Sequence, residues 1–310
     1  MGVRVQLLLA LAGGVLLAGP VFAQPVFRAG VDLVNFGVTV VDRKGGLVTG
    51  LTADDFEVLE GKTPQQIRFF TRADAGEAPP LHAGLLFDTS GSMTDDIRFA
   101  RTAAIKFLKQ LDRAHDMTLV DFDTEVRVTQ FGPHDFPRLV ERLRSREPDG
   151  WTALYDALVV YLDGAQAEEG QKVLVLYTDG GDTRSTATFA ETIDMLRASD
   201  VTLYAIGFLE HQSSSTRFEQ RMRLQQLAEA SGGLAFFPSS IEQFDGVYGK
   251  ILDEVLGRYL IGYVSSDART DGAWREVAIR LKRPDLRDAR IRTRKGYYAP
   301  YRDGPPPRKP

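Results

Sequence analysis

The sequence predicts an α/β protein in which a doubly wound, mostly parallel sheet is inserted between N- and C-terminal β segments that pair into a small β-sandwich. Three observations carry this. Between Leu81 and Leu256, apolar strand-like runs such as Val173-Leu174-Val175-Leu176-Tyr177 alternate with amphipathic helical stretches, the pattern of parallel strands covered on both faces. The segments Val31 to Phe70 and Arg258 to Ala299 carry only strand signals. Each of these is too small to be stable alone, so pairing between them is the economical solution.

Taken in order, Phe36, Val38 and Val40 alternate along a first strand that turns at Arg43-Lys44-Gly45-Gly46. Phe56 to Leu59 and Ile67 to Phe70 are further strands around a turn at Glu60-Gly61-Lys62, and 74–80, rich in Ala, Gly and Pro, reads as a linker. Ala83 to Phe87 opens the α/β region, and Ile97, Ala100, Ala104, Leu108 and Leu111 form one helical stripe behind it. Met117 to Phe122 and Val126 to Phe131 read as a hairpin around Asp123-Thr124. Val173 to Tyr177, a helix over Phe189 to Ala198 and a strand over Val201 to Ile206 follow. A helix over Arg221 to Ala230 stops at Ser231-Gly232-Gly233, where glycine permits a left-handed cap. Leu234 to Phe237 is the last strand of this region and Ile241 to Leu256 its last helix; Tyr259 to Val264, Trp274 to Leu281 and Ala289 to Tyr298 are the closing strands. The expected parts are a signal peptide (1–23), an N-terminal β segment (24–73), a linker (74–80), the α/β domain (81–257), a C-terminal β segment (258–300) and a flexible tail (301–310) with three consecutive prolines.

Composition narrows the chemistry. The 310 residues include no cysteine and four histidines, which removes disulfides, zinc fingers, iron–sulfur clusters and thiolate nucleophiles. A net charge of −4 gives no footprint for nucleic acid or anionic membranes. Arg4, the apolar run Leu7 to Leu17 and the small residues ending at Ala23 read as a secretory signal peptide, cleaved to leave Gln24 first. An uncleaved membrane anchor is the other reading, but the apolar run is short and is interrupted by Gly13-Gly14. The expected location is therefore the periplasm or the extracellular space.

The chemistry-bearing residues gather at strand ends. Asp88-Thr89-Ser90-Gly91-Ser92-Met93 follows the first α/β strand, Asp149-Gly150-Trp151-Thr152-Ala153-Leu154 opens a helix, and Thr178-Asp179-Gly180-Gly181-Asp182 ends the strand at Tyr177. Ligand sites in such sheets lie beyond the carboxyl ends of the strands. Taken singly, each segment is also an ordinary turn or helix cap.

Together they resemble the metal-ion-dependent adhesion site of von Willebrand factor type A domains, over roughly Leu81 to Leu256. The resemblance implies a Rossmann-like fold, with Asp88, Ser90 and Ser92 as the DxSxS loop, Thr152 as the second-loop hydroxyl and Asp179 as the third-loop carboxylate. The flanking segments "GLTADDFEVLE" and "RKGYY" resemble those of bacterial exported proteins that surround such a domain. It also implies a divalent ion whose open position accepts an acidic side chain of a partner protein. An oxygen-only donor set suits Mg²⁺, with Mn²⁺ able to substitute and Ca²⁺ suited less well.

Neighbouring residues carry alternatives. Trp151 stands where the family commonly has glycine, and reads either as an aromatic rim contact for ligand or as a plug in the loop. Asp182 reads as a rim or metal-shell carboxylate, or as the cap of a helix beginning near Thr188. Asp123 reads as a hairpin turn residue, with hydrogen bonding to waters of the site as the other reading, and the four histidines as surface groups. The expected function is adhesion or protein binding with no catalysis, because no Walker A loop, GxSxG elbow or HExxH helix occurs. The alternatives are a scaffold component whose metal only stabilises the fold, and a metal-dependent hydrolase. Finally, Leu256-Gly257-Arg258 joins the last helix to a strand with almost no linker. In the family this helix can shift, so the junction either couples the metal site to the sandwich or is rigid.

Overall fold

The computed structural model describes residues 33–301 apart from 112. The expected signal peptide and residues 302–310 of the tail lie outside the described residues. The N-terminal strands are β1 (Leu33–Val41), β2 (Phe56–Glu60), β3 (Thr63–Gln65) and β4 (Ile67–Arg72). The turn after β1 is closed by Asp42, whose Oδ1 accepts from the backbone N–H of Lys44 and Gly46, with Gly45 at φ 83°.

The α/β region then runs β5 (Leu81–Asp88), α1 (Ile97–Leu108), β6 (Asp116–Phe122), β7 (Val126–Phe131), α2 (Phe136–Ser145), α3 (Leu154–Ala165), β8 (Gln171–Thr178), α4 (Phe189–Ala198), β9 (Val201–Gly207), α5 (Ser214–Ala230), β10 (Ala235–Phe236) and α6 (Ile241–Gly257). The strands form one six-stranded sheet in the order β10-β9-β8-β5-β6-β7, parallel except for the β6–β7 hairpin. Every residue of β5 and β8 is buried, as two covered faces require. On one face Ile97, Ala104 and Phe107 of α1, Leu139 and Leu143 of α2, and Phe244, Tyr248 and Ile251 of α6 pack together. On the other, Leu158 and Leu162 of α3, Leu196 of α4, and Leu224 and Leu227 of α5 do the same. The chain leaves β5 toward β6 on one side and returns to β8 on the other, so the topological switch point lies between β5 and β8.

The closing strands are β11 (Tyr259–Val264), β12 (Trp274–Leu281), β13 (Arg290–Arg292) and β14 (Gly296–Tyr298). They interleave with the N-terminal strands in two four-stranded sheets, β13-β1-β11-β4 and β14-β12-β2-β3. Phe36, Val38 and Val40 of β1 share one core with Phe56, Val58, Tyr259, Ile261, Val277 and Ile279. The expected sandwich is therefore present, built from both ends of the chain. Glu60 joins its two sheets: its Oε2 accepts from Tyr263 Oη at 2.8 Å and Tyr297 Oη at 3.0 Å, and its Oε1 from Ser265 Oγ at 2.8 Å.

Three elements differ from the sequence expectation. The strand expected over Ala289 to Tyr298 is two strands in different sheets, β13 on β1 and β14 on β12. Between them Arg294 leaves the ladder, donating to Ser199 O and Asn35 O, both at 2.8 Å, and lying over the Phe36 ring. Helix α5 starts at Ser214 rather than Arg221, capped by Ser213 Oγ, which accepts from Thr216 N. Helix α2 lies outside the sequence expectation, although Phe136, Leu139, Val140 and Leu143 recur at helical spacing behind Asp135 and Pro137; charged residues fill its exposed faces, and only Leu139 and Leu143 are buried.

Candidate metal centre

Strands β5 and β8 end side by side, and their last residues meet. Asp88 is fully buried; its Oδ1 accepts from Ser90 N at 2.9 Å and Ser90 Oγ at 2.6 Å, and its Oδ2 from Thr178 Oγ1 at 2.5 Å. The Ser90 and Ser92 hydroxyls are 3.1 Å apart, the first buried and the second exposed, so the pair leads from the interior to the surface. A 3-10 turn over Gly91–Met93 produces this spacing.

Backbone hydrogen bonds pin the second loop to the first. Gly91 N donates to Gly150 O at 3.1 Å and Asp149 N to Thr89 O at 3.0 Å. Gly150 sits at φ 73°, and a Cβ there would lie 2.4 Å from Thr124 Oγ1, so only glycine fits. Thr152 is buried; its N–H donates to Thr183 Oγ1 at 3.0 Å and its carbonyl accepts from Thr183 N at 2.9 Å and Arg184 N at 3.0 Å. The third loop is thereby tied to the second. In that third loop Asp179 is also buried, with Oδ1 accepting from Gly181 N at 3.1 Å and Oδ2 from Gln212 Nε2 at 3.0 Å.

The electrostatics follow from burial. Loss of solvent and the neighbouring charge of Asp179 push the Asp88 carboxyl up to about 7, against hydrogen bonds from Ser90 and Thr178 that favour the ionised form. Among the described residues, no arginine or lysine is hydrogen-bonded to Asp88; its partners are Ser90 and Thr178. Two buried carboxylates set among hydroxyls, with only neutral donors as partners among the described residues, make a donor set that fits a hard divalent cation.

The flanking residues resolve as follows. The Trp151 side chain is 64% exposed and projects from the loop rather than filling it, while its N–H donates to Thr124 Oγ1. Asp182 is a cap, but of α3 and not of the helix after Thr188: its Oδ2 accepts from Tyr155 N at 3.0 Å and Ser185 Oγ at 2.5 Å. Thr188 caps α4 itself, in a reciprocal pair with Glu191. Asp123 closes the β6–β7 turn, accepting from Glu125 N, and binds Arg127. Thr178, Thr183, Thr124 and Gln212 were not singled out from the sequence as partners of the site. Thr178 stood inside a quoted motif, whereas nothing in the sequence ties Gln212 to Asp179. One histidine departs from the surface role expected of all four: His82 is buried.

No curated protein matches the chain. Among solved structures it is similar to a von Willebrand factor type A protein from Catenulispora acidiphila, with 14% identity over 89% of this chain and 76% of that one and a TM-score of 0.48. It is also similar to the pilus adhesin SpaC from Lactobacillus rhamnosus GG, with 11% identity over 84% of this chain and 49% of that one and a TM-score of 0.49. A third similarity is to the PilB minor pilin from Streptococcus sanguinis, with 16% identity over 58% of this chain and 63% of that one and a TM-score of 0.45. The chain thus spans less than two thirds of either pilus protein. The family model of the von Willebrand factor type A domain matches residues 84–250, more than half of the sequence, and the chain belongs to that family.

Proposed function

We propose that the chain is a divalent-cation-dependent protein-binding module, exported from the cytoplasm, and not an enzyme. In this reading Asp88, Ser90, Ser92, Thr152 and Asp179 hold Mg²⁺, with Mn²⁺ as a substitute. The observation that carries it is the Asp88 carboxylate, buried beside Asp179 and served only by hydroxyl and backbone donors. Burying two like charges is costly without a counter-ion. Once bound, the ion supplies an electrophilic position that takes a carboxylate oxygen from an acidic side chain of a partner protein. The exposed Ser92 marks the open side of this site, and Trp151 offers an exposed aromatic surface on the second loop. A purely structural metal is the weaker reading, because backbone hydrogen bonds already pin the three loops together.

The test is calorimetric titration of Mg²⁺ and Mn²⁺ into the chain and into the Asp88→Ala and Asp179→Ala variants. It is followed by capture of exported proteins in Mg²⁺ with elution by chelator. Support is metal binding that both variants lose while keeping native circular dichroism, together with partners released by chelator. A wild-type chain that binds neither ion at millimolar concentration sinks the proposal. Variants that unfold would move the metal to a structural role.

A further inference from the structure

A second cluster of metal-ligating groups lies at the other end of the same sheet. His82, second residue of β5, is six positions before Asp88, which along a strand is about 20 Å. Its ring is buried, and both nitrogens face acceptors. Nε2 is 3.0 Å from the carbonyl oxygen of Glu169, Nδ1 is 2.8 Å from Asp116 Oδ2, and Glu168 Oε2 lies 3.7 Å from the same Nδ1. A carbonyl only accepts, so Nε2 carries a hydrogen, and in the neutral imidazole the Nδ1 lone pair then faces two carboxylates. That arrangement is unfavourable unless something positive sits between them. A proton on Nδ1 neutralises only one of the two carboxylates; a divalent cation neutralises both.

We propose that His82 Nδ1, Asp116 and Glu168 form a second divalent-metal site, for a borderline ion of the Zn²⁺ type rather than for Mg²⁺. This proposal is independent of the function proposed above. The three ligand atoms lie within 4.8 Å of one another. Neighbouring ligand atoms in a tetrahedral Zn²⁺ shell stand roughly 3.4 Å apart, between the 2.8 and 3.7 Å separations measured from Nδ1. An imidazole that ligates through one nitrogen and donates from the other to a backbone carbonyl has the usual outer support of a metal-bound histidine. Gln130 Nε2 holds the other Glu168 oxygen, Oε1, at 3.3 Å, which leaves Oε2 facing the histidine. Asp116 and Glu168 side chains are 20% and 35% exposed, so an ion has a path from solvent. The nitrogen ligand separates this site from the oxygen-only loops around Asp88 and selects a softer ion.

The experiment is calorimetric titration of Zn²⁺ into the full chain carrying Asp88→Ala and Asp179→Ala, which removes the oxygen-only site. One equivalent is expected to bind, with the His82 ring resonances shifting in NMR spectra. Adding Glu168→Gln, a change at a partly exposed side chain, should abolish that equivalent, and Asp116→Asn should do the same. In an otherwise wild-type chain, Glu168→Gln should leave Mg²⁺ binding unchanged, so the two proposals fail separately. If the Asp88→Ala/Asp179→Ala chain binds no Zn²⁺, or binds it equally well with Glu168→Gln, the proposal is overturned and the cluster is a proton-bridged ion pair.

Discussion

Thr178 donates its hydroxyl to Asp88 Oδ2 at 2.5 Å, joining the last residues of two neighbouring parallel strands. With Ser90 on Oδ1, this bond fixes the plane of a carboxylate whose hydrogen-bond partners among the described residues are all neutral. Thr178 also receives the Gly180 N–H, so one hydroxyl orients both the first and the third loop. Thr178→Val keeps the shape and removes the donor. Mg²⁺ affinity should fall about 10–100-fold, the usual consequence of removing outer support from a ligand. Calorimetric titration gives the answer; an unchanged affinity would mean that the loops hold Asp88 without Thr178.

Asp88→Asn separates fold from ion. Without metal, the wild-type chain buries the Asp88 carboxylate next to Asp179, and both burial and like charge disfavour the ionised form. The neutral amide removes that cost. The metal-free variant should melt no lower than the metal-free wild type, while the rise in melting temperature on adding Mg²⁺ disappears. For the wild type that rise corresponds to about 2.7 kcal/mol at a hundredfold excess of ion over Kd. Scanning calorimetry in Mg²⁺ and in chelator measures both effects. A variant markedly less stable than wild type in chelator would contradict this account of the site.

In the sandwich, Glu60 is the acceptor for three hydroxyls, those of Tyr263, Tyr297 and Ser265, and Tyr263 belongs to the opposite sheet. Glu60→Ala orphans these donors inside a core otherwise built from Phe36, Phe56, Ile261 and Ile279. A loss of about 3 kcal/mol is expected in urea unfolding. A double-mutant cycle with Tyr263→Phe should show coupling of about 1 kcal/mol or more. Additive effects would indicate that the carboxyl does not bridge the sheets.

Much of this was legible in the sequence because the chemistry sits where strand patterns end. The apolar runs up to Phe87 and Tyr177 located the β5 and β8 ends, and oxygen-bearing residues followed directly. Contacts between distant segments were not legible. Gln212 reaches Asp179 from the loop before α5, and Thr183 reaches Thr152 across 31 residues, with no local pattern to announce either. The break between β13 and β14 was hidden because strand-like residues flank Thr293-Arg294-Lys295 on both sides and no Pro marks the gap; the tertiary partners of Arg294 decide it. His82 read as a surface residue because one polar group in an apolar strand carries no sign of the carboxylates that meet it there.

The junction after α6 is an anchored one. Arg258 is buried, and its guanidinium donates to Oε1 of Gln171, the first residue of β8, at 3.2 Å and to Oγ1 of Thr202, the second residue of β9, at 3.0 Å. A Cβ on Gly37 of β1 would lie 3.2 Å from the same guanidinium, so the sandwich closes tightly over it. One side chain therefore fixes β11 against the end of the six-stranded sheet remote from Asp88. Arg258→Met preserves volume but leaves these acceptors without donors, and should cost about 1–3 kcal/mol. Because the guanidinium touches both parts, the loss should appear as one shifted urea transition by tyrosine fluorescence and by circular dichroism alike. Two separate transitions in the variant, one for each part, would mean that Arg258 is what makes the sandwich and the α/β region unfold together; an unshifted midpoint would mean that the anchor contributes nothing.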